Sequence, residues 1–204
     1  MNEFDIKAAE WDKSDMHSDR ARTVAGEILK EIPITAEMRA LEFGAGTGLL
    51  SFLLRDKLKE ITLVDNSAGM VKVLREKLSA DNTGNMKVLD IDLEHDDYPD
   101  GRVDLIYTLM VLHHVNDVET IIRKFSGMLN PGGYLAIADL YPEDGSFHGE
   151  SFNGHKGFDT AKLAALLEKY GFRVISQRKV YVIDKIISDN SRKQFEVFLM
   201  IAMI

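Results

Sequence analysis

Three glycines at alternate positions, Gly44, Gly46 and Gly48, stand between an apolar run and a helical pattern. Glycine has no Cβ, so such a turn can adopt positive φ angles and let a nucleotide-like ligand approach the main chain. Dinucleotide-binding loops carry their third glycine one residue later, where this chain has Leu49. Glu42, just before the first glycine, suits a cationic ligand better than a pyrophosphate. The spacing alone also fits a purely structural turn.

A carboxylate follows the next apolar run of the chain. Residues 60–64 are rich in β-branched side chains, which predicts a strand, and Asp65 stands at its end, about 20 residues after the glycines. At that place a carboxylate can accept hydrogen bonds from both hydroxyls of a ribose. The alternative is that Asp65 or Ser67 only caps the following helix, whose inner face carries Met70. Because Ser67 can cap that helix alone, we favour a ligand role for Asp65.

Side chains that could act as a general base lie in two parts of the chain. His113 and His114 follow the fourth apolar run, whereas Tyr141, His148 and His155 lie in the long polar loop after the fifth. For His113 and His114, packing in the core is the favoured interpretation, and a role as base is the alternative. His155 is the favoured substrate-site residue of the loop. His148 and His155 could also hold a metal ion, but they lack a third ligand nearby, so we predict no metal site.

Amphipathic helices and short apolar strands alternate along the chain. The spacing of apolar residues predicts helices over 21–32, 118–129 and 160–170. Such alternation implies an α/β fold in which parallel strands are joined by right-handed crossovers. The ligand site of such a fold lies at the carboxyl ends of the strands. The residues at these ends are Gly44, Asp65, Asp92 and Thr108.

The pattern changes after the fifth strand. Residues 173–183 and 194–204 predict two further strands joined by a polar turn over 188–191, which makes an antiparallel hairpin. The loop over 139–158 is longer than compact domains usually tolerate without a purpose, and it should hang over the strand ends.

Length and composition fit one globular domain. The chain has 204 residues, of which 45% are hydrophobic and 28% are charged, so it can bury a full core. It has no cysteine, which excludes disulfides and thiol nucleophiles. We predict a single domain over 1–204, with a lid and helix at 1–33, a cofactor-binding core at 34–140, and a substrate-side loop, helix and hairpin at 141–204.

Charge and hydropathy limit the expected partners. The net charge is −8 and no cluster of Lys and Arg occurs, which argues against nucleic acid. The densest charged run, residues 90–104, is acidic. Acidic residues near the amino terminus and the lack of a long apolar run predict a cytoplasmic protein with neither signal peptide nor membrane span. A small-molecule substrate is the remaining expectation.

Five motifs in order resemble the class I S-adenosylmethionine-dependent methyltransferases. They are the glycine turn at 41–48, the strand end at Asp65, and the segments 87–94, 103–115 and 129–137. Each motif alone is unspecific, but together they cover nearly the whole chain in the right order. The resemblance implies a single-domain Rossmann-like fold with a seven-stranded, mostly parallel sheet and a C-terminal antiparallel hairpin.

The resemblance also implies S-adenosylmethionine as the cofactor and S-adenosylhomocysteine as the product. Asp92 and the main chain of Leu93 match the motif that holds the adenine amino group. The implied cofactor-binding residues are Glu42, Gly44, Ala45, Gly46, Gly48, Asp65, Asn66, Met70, Asp92, Leu93, Thr108 and Leu109. Transfer of a sulfonium methyl group needs mostly orientation and desolvation, with His155 or His113 as the candidate base.

The amino-terminal segment 4–12 carries the only tryptophan of the chain. Related small-molecule methyltransferases fold a similar stretch over the cofactor, so Trp11 is a candidate lid residue. The alternative is that Trp11 simply anchors the terminus in a groove. Arg20 or Arg22 could reach the cofactor carboxylate. His155 lies in a segment similar to one found before the penultimate helix of such enzymes.

These observations predict S-adenosylmethionine-dependent methyl transfer to a small molecule by in-line displacement, in a monomer or homodimer. A nicotinamide-dependent oxidoreductase is one alternative, but the glycine spacing, Glu42 and the turn at 130–133 argue against it. A non-catalytic S-adenosylmethionine-binding module is the other. It would keep the glycine turn and lose the acceptor pocket, whereas the long loop with its histidines favours a pocket.

Overall fold

The computed structural model describes residues 3–80, 84–149, 151–187 and 191–204. The strands are β1 (Arg39–Phe43), β2 (Glu60–Asp65), β3 (Met86–Asp90), β4 (Val103–Leu109), β5 (Leu129–Leu140), β6 (Arg173–Ile186) and β7 (Arg192–Met203). The α-helices are α1 (Glu3–Lys7), α2 (Asp15–Glu31), α3 (Leu49–Leu54), α4 (Ala68–Ala80), α5 (Val118–Met128) and α6 (Thr160–Lys169). None of the helices in the described residues combines the length and apolarity needed to cross a bilayer.

The seven strands form one sheet in the order β3-β2-β1-β4-β5-β7-β6. The first five strands pair in parallel, and β7 runs antiparallel to both β5 and β6. The direction of the winding reverses at β1, which has β2 on one side and β4 on the other. In sheets of this kind the reversal predicts a ligand site at the carboxyl ends of the two strands that flank it, here β1 and β4. The predicted α/β fold with its C-terminal hairpin is confirmed.

Strands β1, β2 and β4 are largely buried because helices cover both faces of the sheet. On one face Phe43 packs edge-on against Phe125 of α5, with 5.4 Å between the ring centroids. On the other face Leu63 and Tyr107 belong to one core with Ile28 of α2. The two cores hold the strand ends, and the loops that leave them, in fixed positions.

Several element boundaries differ from the sequence prediction. Helix α2 begins at Asp15 rather than at residue 21, because the polar residues 15–19 continue the helix on its more exposed side. Strand β5 extends to Leu140, so Asp139 belongs to the strand and not to the loop. Both hairpin strands start or end beyond their predicted limits. The predicted turn at 188–191 lies largely outside the described residues.

Candidate active site

The glycine turn after β1 exposes its main chain through backbone conformation. Gly44, Gly46 and Gly48 have φ angles of 67°, 55° and 81°, a region that disfavours other residues. A Cβ on Gly44 would lie 2.4 Å from a methyl carbon of Val111, so the turn packs directly on the segment after β4. A Cβ on Gly46 would meet only the Met70 sulfur, at 4.0 Å. There is therefore room for a ligand beside Gly46.

Asp65 closes the turn from the end of β2. One carboxylate oxygen accepts a hydrogen bond from the Gly46 amide at 2.7 Å, and the other accepts one from the Ser67 amide at 2.8 Å. Burial raises the pKa of Asp65, and these amide donors oppose that effect. Each carboxylate oxygen has two lone pairs, so both can still accept a further hydrogen bond. The neighbouring Asn66 is exposed beside it.

Glu42 points into the core behind the glycine turn and is 3% exposed. Its carboxyl group accepts a hydrogen bond from the hydroxyl of Ser51, which in turn is bonded to the hydroxyl of Tyr107. Burial raises the pKa of Glu42 to about 8. Contact between Glu42 and a cofactor stays a prediction. Sequence reasoning did not find Ser51 and Tyr107, because their apolar surroundings gave no sign of a polar network.

The remaining residues predicted to bind the cofactor lie just after β3 and at the end of β4. Asp92 accepts a hydrogen bond from the amide of Glu94 at 2.9 Å, and Leu93 is buried in the core. Thr108 is buried, and its hydroxyl has no hydrogen-bond partner among the described residues. Leu109 is half-buried next to it.

The two arginines that could meet a cofactor carboxylate differ sharply. Arg22 is exposed and pairs with Asp19 at 2.7 Å. Arg20 is 6% exposed, and its Nε has no partner in the described part of the chain. Burial lowers the pKa of Arg20 to about 10, opposed by attraction to Asp139 at the end of β5 and to Tyr181. Arg20 is the arginine that the structure directs toward the strand ends.

The amino-terminal segment 4–12 is docked on the cofactor side through two aspartates. Asp5 accepts hydrogen bonds from the hydroxyl of Ser67 at 2.7 Å and from the amide of Gly69 at 2.9 Å, so it caps α4. Asp12 accepts from the Thr47 hydroxyl and from Lys77, the latter at 2.7 Å. The segment thus spans from the glycine turn to the start of α4. The sequence motif includes both aspartates, but it gave a role only to Trp11.

Trp11 of this segment packs against helix α2 and against Phe4. Its ring stacks on His17 of α2, with 4.1 Å between the centroids, and Phe4 meets it edge-on at 6.0 Å. Phe4 also meets the ring of His114 edge-on, at 5.0 Å. The segment therefore touches the cofactor side with its aspartates and the segment after β4 with Phe4. Whether Trp11 acts as a lid residue stays a prediction.

Three histidines converge beneath this segment, and we call His113, His114 and His148 the histidine cluster. The ring centroids of His113 and His114 are 4.2 Å apart, and His148 lies 5.1 Å from the first and 4.9 Å from the second. One ring nitrogen from each residue lies within 4.8 Å of the other two. The loop after β5 thus brings His148 to the segment after β4.

Asp139 at the end of β5 orients one member of the histidine cluster, His113. His113 is 1% exposed and its Nδ1 donates to a carboxylate oxygen of Asp139 at 2.6 Å. The same carboxylate accepts from the Leu140 amide at 2.7 Å and from the His113 amide at 3.3 Å. Sequence reasoning assigned Asp139 to a loop and so missed this pairing. Its signal was an acidic residue at the end of an apolar strand.

The other two histidines are held neutral by their surroundings. Burial and the neighbouring histidines lower the pKa of His114 to about 3. Burial, followed by His113 and Lys185, lowers the pKa of His148 to about 4. The His148 ring stacks on Phe152 at 4.0 Å, which helps to shield it.

His155 lies apart from the histidine cluster. Its amide donates to the carbonyl oxygen of His113 at 2.8 Å, which ties the loop to the cluster. Its side chain is exposed, and its ring lies 5.4 Å from that of Phe158. The hydroxyl of Tyr141 accepts a hydrogen bond from Gln177 at 2.6 Å. The catalytic role of His155 stays a prediction. His113, in contrast, has in Asp139 a carboxylate that can orient its ring as a base.

Comparison with known proteins assigns the chain to a family. Residues 41–137 match the methyltransferase domain. An uncharacterized methyltransferase of Geobacillus kaustophilus is 34% identical over 142 residues, which are 67% of this chain and 64% of the relative. Its central part, residues 41–137, is therefore a methyltransferase domain, of the class I S-adenosylmethionine-dependent type. This methyltransferase chain spans between 30% and 64% of the length of the first three curated relatives that it matches.

Solved structures agree with the fold of this methyltransferase. A Haloferax volcanii protein solved with the Trm112 methyltransferase activator gives a TM-score of 0.79 at 18% identity, covering 100% of this chain and 98% of that one. A SAM-dependent methyltransferase of Aquifex aeolicus gives 0.69 at 22% identity, covering 97% and 98%. At such identities the likeness concerns the fold alone.

The residues of this methyltransferase fit S-adenosylmethionine. The cofactor carries a carboxylate, hydroxyls and a sulfonium charge. Two buried polar atoms, Nε of Arg20 in α2 and Oγ1 of Thr108 near the end of β4, lack a partner among the described residues. Buried polar groups are nearly always satisfied, so a polar ligand is the expected partner. The open side of Gly46 gives such a ligand access to the main chain.

Proposed function

We propose that this chain transfers the methyl group of S-adenosylmethionine to a small-molecule acceptor, with S-adenosylhomocysteine as the product. The observation that carries this is the combination of the open glycine turn, the carboxylate of Asp65 at its edge, and family membership. Asp65 would hold the ribose hydroxyls, and Asp92 with the main chain of Leu93 would hold the adenine. The further contacts proposed are those of Glu42, Gly44, Ala45, Gly46, Gly48, Asn66, Met70, Thr108 and Leu109.

The chemistry leaves few tasks to the protein. The bound cofactor supplies a methyl group already activated by the sulfonium charge. The residues of this chain then orient the acceptor and exclude water, which is where most of the rate enhancement of such a transfer arises. Phe4 and Phe152, which both meet His114 edge-on, give the acceptor side apolar walls. His113, held by Asp139, is the proposed base for an acceptor that must lose a proton, with His155 as the second candidate.

The net charge of the chain and the amino-terminal segment over the site both support a small acceptor. The net charge of −8 disfavours nucleic acid, and the amino-terminal segment leaves little room for a macromolecule over the strand ends. Domain limits, a cytoplasmic location and a monomeric or homodimeric state are further predictions of this proposal.

Binding and transfer experiments test the function. We expect calorimetry to show binding of S-adenosylhomocysteine and none of a nicotinamide dinucleotide. We then expect incubation with methyl-labelled S-adenosylmethionine and a metabolite extract to label a small product. Binding of the dinucleotide instead would favour an oxidoreductase, and cofactor binding with no labelled product in any extract would favour a non-catalytic module.

We also propose that Arg20 binds the carboxylate of the cofactor. Its buried guanidinium, with Nε free of partners in the described residues, needs an anionic ligand. Arg20→Gln should weaken binding of S-adenosylhomocysteine by about 10- to 100-fold, since a charge-assisted hydrogen bond is worth about 1.5 to 3 kcal/mol. Binding of 5′-methylthioadenosine, which lacks the carboxylate, should not change. Arg22→Gln is the matched control, and equal losses for both ligands would contradict the assignment.

A further inference from the structure

The histidine cluster brings three potential metal ligands together without help from the cofactor side. His113 and His114 come from the turn after β4, and His148 comes from the loop after β5. One nitrogen of each lies within 4.8 Å of the other two. A tetrahedral zinc ion with bonds of about 2.0–2.1 Å to nitrogen holds its ligands roughly 3.4 Å apart, so small side-chain rotations would close the site.

Two features of the cluster match metal sites rather than simple packing. His113 donates its Nδ1 proton to Asp139 at 2.6 Å, which leaves Nε2 as its available nitrogen. Such a carboxylate partner fixes the ring of a metal-binding histidine in most known sites. The other feature is Nε2 of His148, which is buried and has no hydrogen-bond partner within the described residues. A buried ring nitrogen without a partner is costly unless something coordinates it.

The surroundings also suit a bound ion. Phe147 and Phe152 meet the rings of the cluster and limit access of water. The carboxylate of Asp139, behind His113, would offset part of the charge of a divalent cation. Lys7 and Lys185 are the nearby cations, and Glu3 is a nearby anion. Imidazole nitrogens bind Zn²⁺, Cu²⁺, Ni²⁺ and Fe²⁺ rather than Mg²⁺ or Ca²⁺.

We propose that His113, His114 and His148 form a binding site for one divalent transition-metal ion of the Zn²⁺ class. This replaces the sequence expectation of no metal, which considered only His148 with His155. Three protein ligands leave a fourth position open, as in catalytic rather than structural zinc sites. Because the ion would occupy Nε2 of His113, the base role proposed for His113 belongs to the metal-free protein. In the metal-bound protein a heteroatom of the acceptor would take the open position. This use of the site rests on the proposed function, whereas metal binding itself does not.

Titration with Zn²⁺ tests the site on the chelator-treated full chain without cofactor. We expect one equivalent to bind in competition with a chromophoric chelator. His114→Ala and His148→Ala should weaken Zn²⁺ binding more than about 100-fold, since even loss of an outer-shell partner costs 10- to 100-fold. Asp139→Asn should weaken it about 10- to 100-fold. The matched control is His95→Ala, an exposed histidine in the loop after β3.

The variants need a check on folding, because His148 stacks on Phe152. His148→Phe keeps an aromatic ring at that place and removes both nitrogens, so it should melt like wild type and still lose Zn²⁺. The proposal is overturned if wild type binds no stoichiometric Zn²⁺, if His148→Phe binds it like wild type, or if His95→Ala loses it equally. Binding of S-adenosylhomocysteine is measured separately, so failure of the proposed function would not be mistaken for failure of the metal site.

Discussion

The cofactor side and the histidine cluster of this protein are built in different ways. On the cofactor side, the carboxylates of Asp65 and Asp5 are bonded mainly to main-chain amides of the glycine turn and of the start of α4. In the histidine cluster, three rings meet through side chains, and the carboxylate of Asp139 is their hydrogen-bonded anchor. The first site depends on backbone conformation, the second on which loops the fold brings together.

This difference determines what each site tolerates. A site made by main-chain amides keeps its shape when a side chain around it changes, because the amides are fixed by the strands and helices. A site made by side chains is lost when one ring or its anchor is changed. We therefore expect substitutions on the cofactor side to affect ligand affinity mainly, and substitutions around the cluster to affect stability as well.

The largest effect should come from Asp65. Asp65→Ala should weaken binding of S-adenosylhomocysteine by roughly 2 to 4 kcal/mol, the sum of two charge-assisted hydrogen bonds to ribose hydroxyls. Calorimetry measures this. Asp90→Ala, at the end of the neighbouring strand β3, is the matched control and should bind like wild type. Unchanged binding by Asp65→Ala would show that Asp65 serves only the turn and the cap.

The anchor of the cluster should affect folding instead. Asp139→Asn replaces a buried carboxylate that accepts three hydrogen bonds, including the one from His113 Nδ1. We expect the free energy of unfolding to fall by about 1.5 to 3 kcal/mol, the usual worth of a hydrogen bond to a charged group. Urea denaturation measures it, with the exposed Asp184→Asn as control. A stability equal to that of the control would remove the contrast between the two sites.

The sequence predicted the fold well because its signals are local. Apolar runs, helical spacing and the glycine turn each lie within a short window, and the parallel pairing of the first five strands follows from the helices that connect most of them. The candidate residues Gly46 and Asp65 were likewise readable, since one hydrogen bond joins the two strand ends that carry them. Their contact with a cofactor remains to be measured.

The histidine cluster could not be predicted in the same way. His148 reaches His113 only through the path of the loop after β5, and no spacing rule encodes that path. The sequence suggested His148 and His155 as possible metal ligands together, whereas the ring of His155 lies against Phe158. Asp139 was hidden because the strand was predicted to end before it. Buried side-chain partners that are distant in the chain need the fold before they can be recognised.

Glu42 offers a test by pH. Burial raises its pKa from the ordinary 4.5 to about 8, so the folded state binds more protons than the unfolded state between these values. The stability that Glu42 contributes is thus fully present below about pH 4.5 and is lost as pH rises toward 8. Glu42→Gln imitates the protonated form, so its free energy of unfolding should fall less as the pH rises. The difference from wild type should be at least about 1.4 kcal/mol, which corresponds to a shift of one pKa unit.

Denaturation of wild type and Glu42→Gln at several pH values measures the difference. Glu37→Gln, in the exposed turn before β1, is the control and should keep the slope of wild type. Parallel pH curves for wild type and Glu42→Gln would mean that Glu42 is ionised in the folded protein.

The smallest effect should come from the amino-terminal segment, which touches both sites. Asp12 holds it to Thr47 of the glycine turn and to Lys77, and these partly exposed contacts are worth about 0.5 to 1.5 kcal/mol together. If the segment covers the cofactor, Asp12→Ala should speed release of S-adenosylhomocysteine by about 2- to 10-fold in stopped-flow experiments, since a loosened lid opens more often. Glu10→Ala, which breaks only an exposed pair with Lys13 next to the segment, should leave release unchanged. A lower melting temperature with unchanged release would mean that the segment anchors the terminus, and the cofactor side would then be open independently of it.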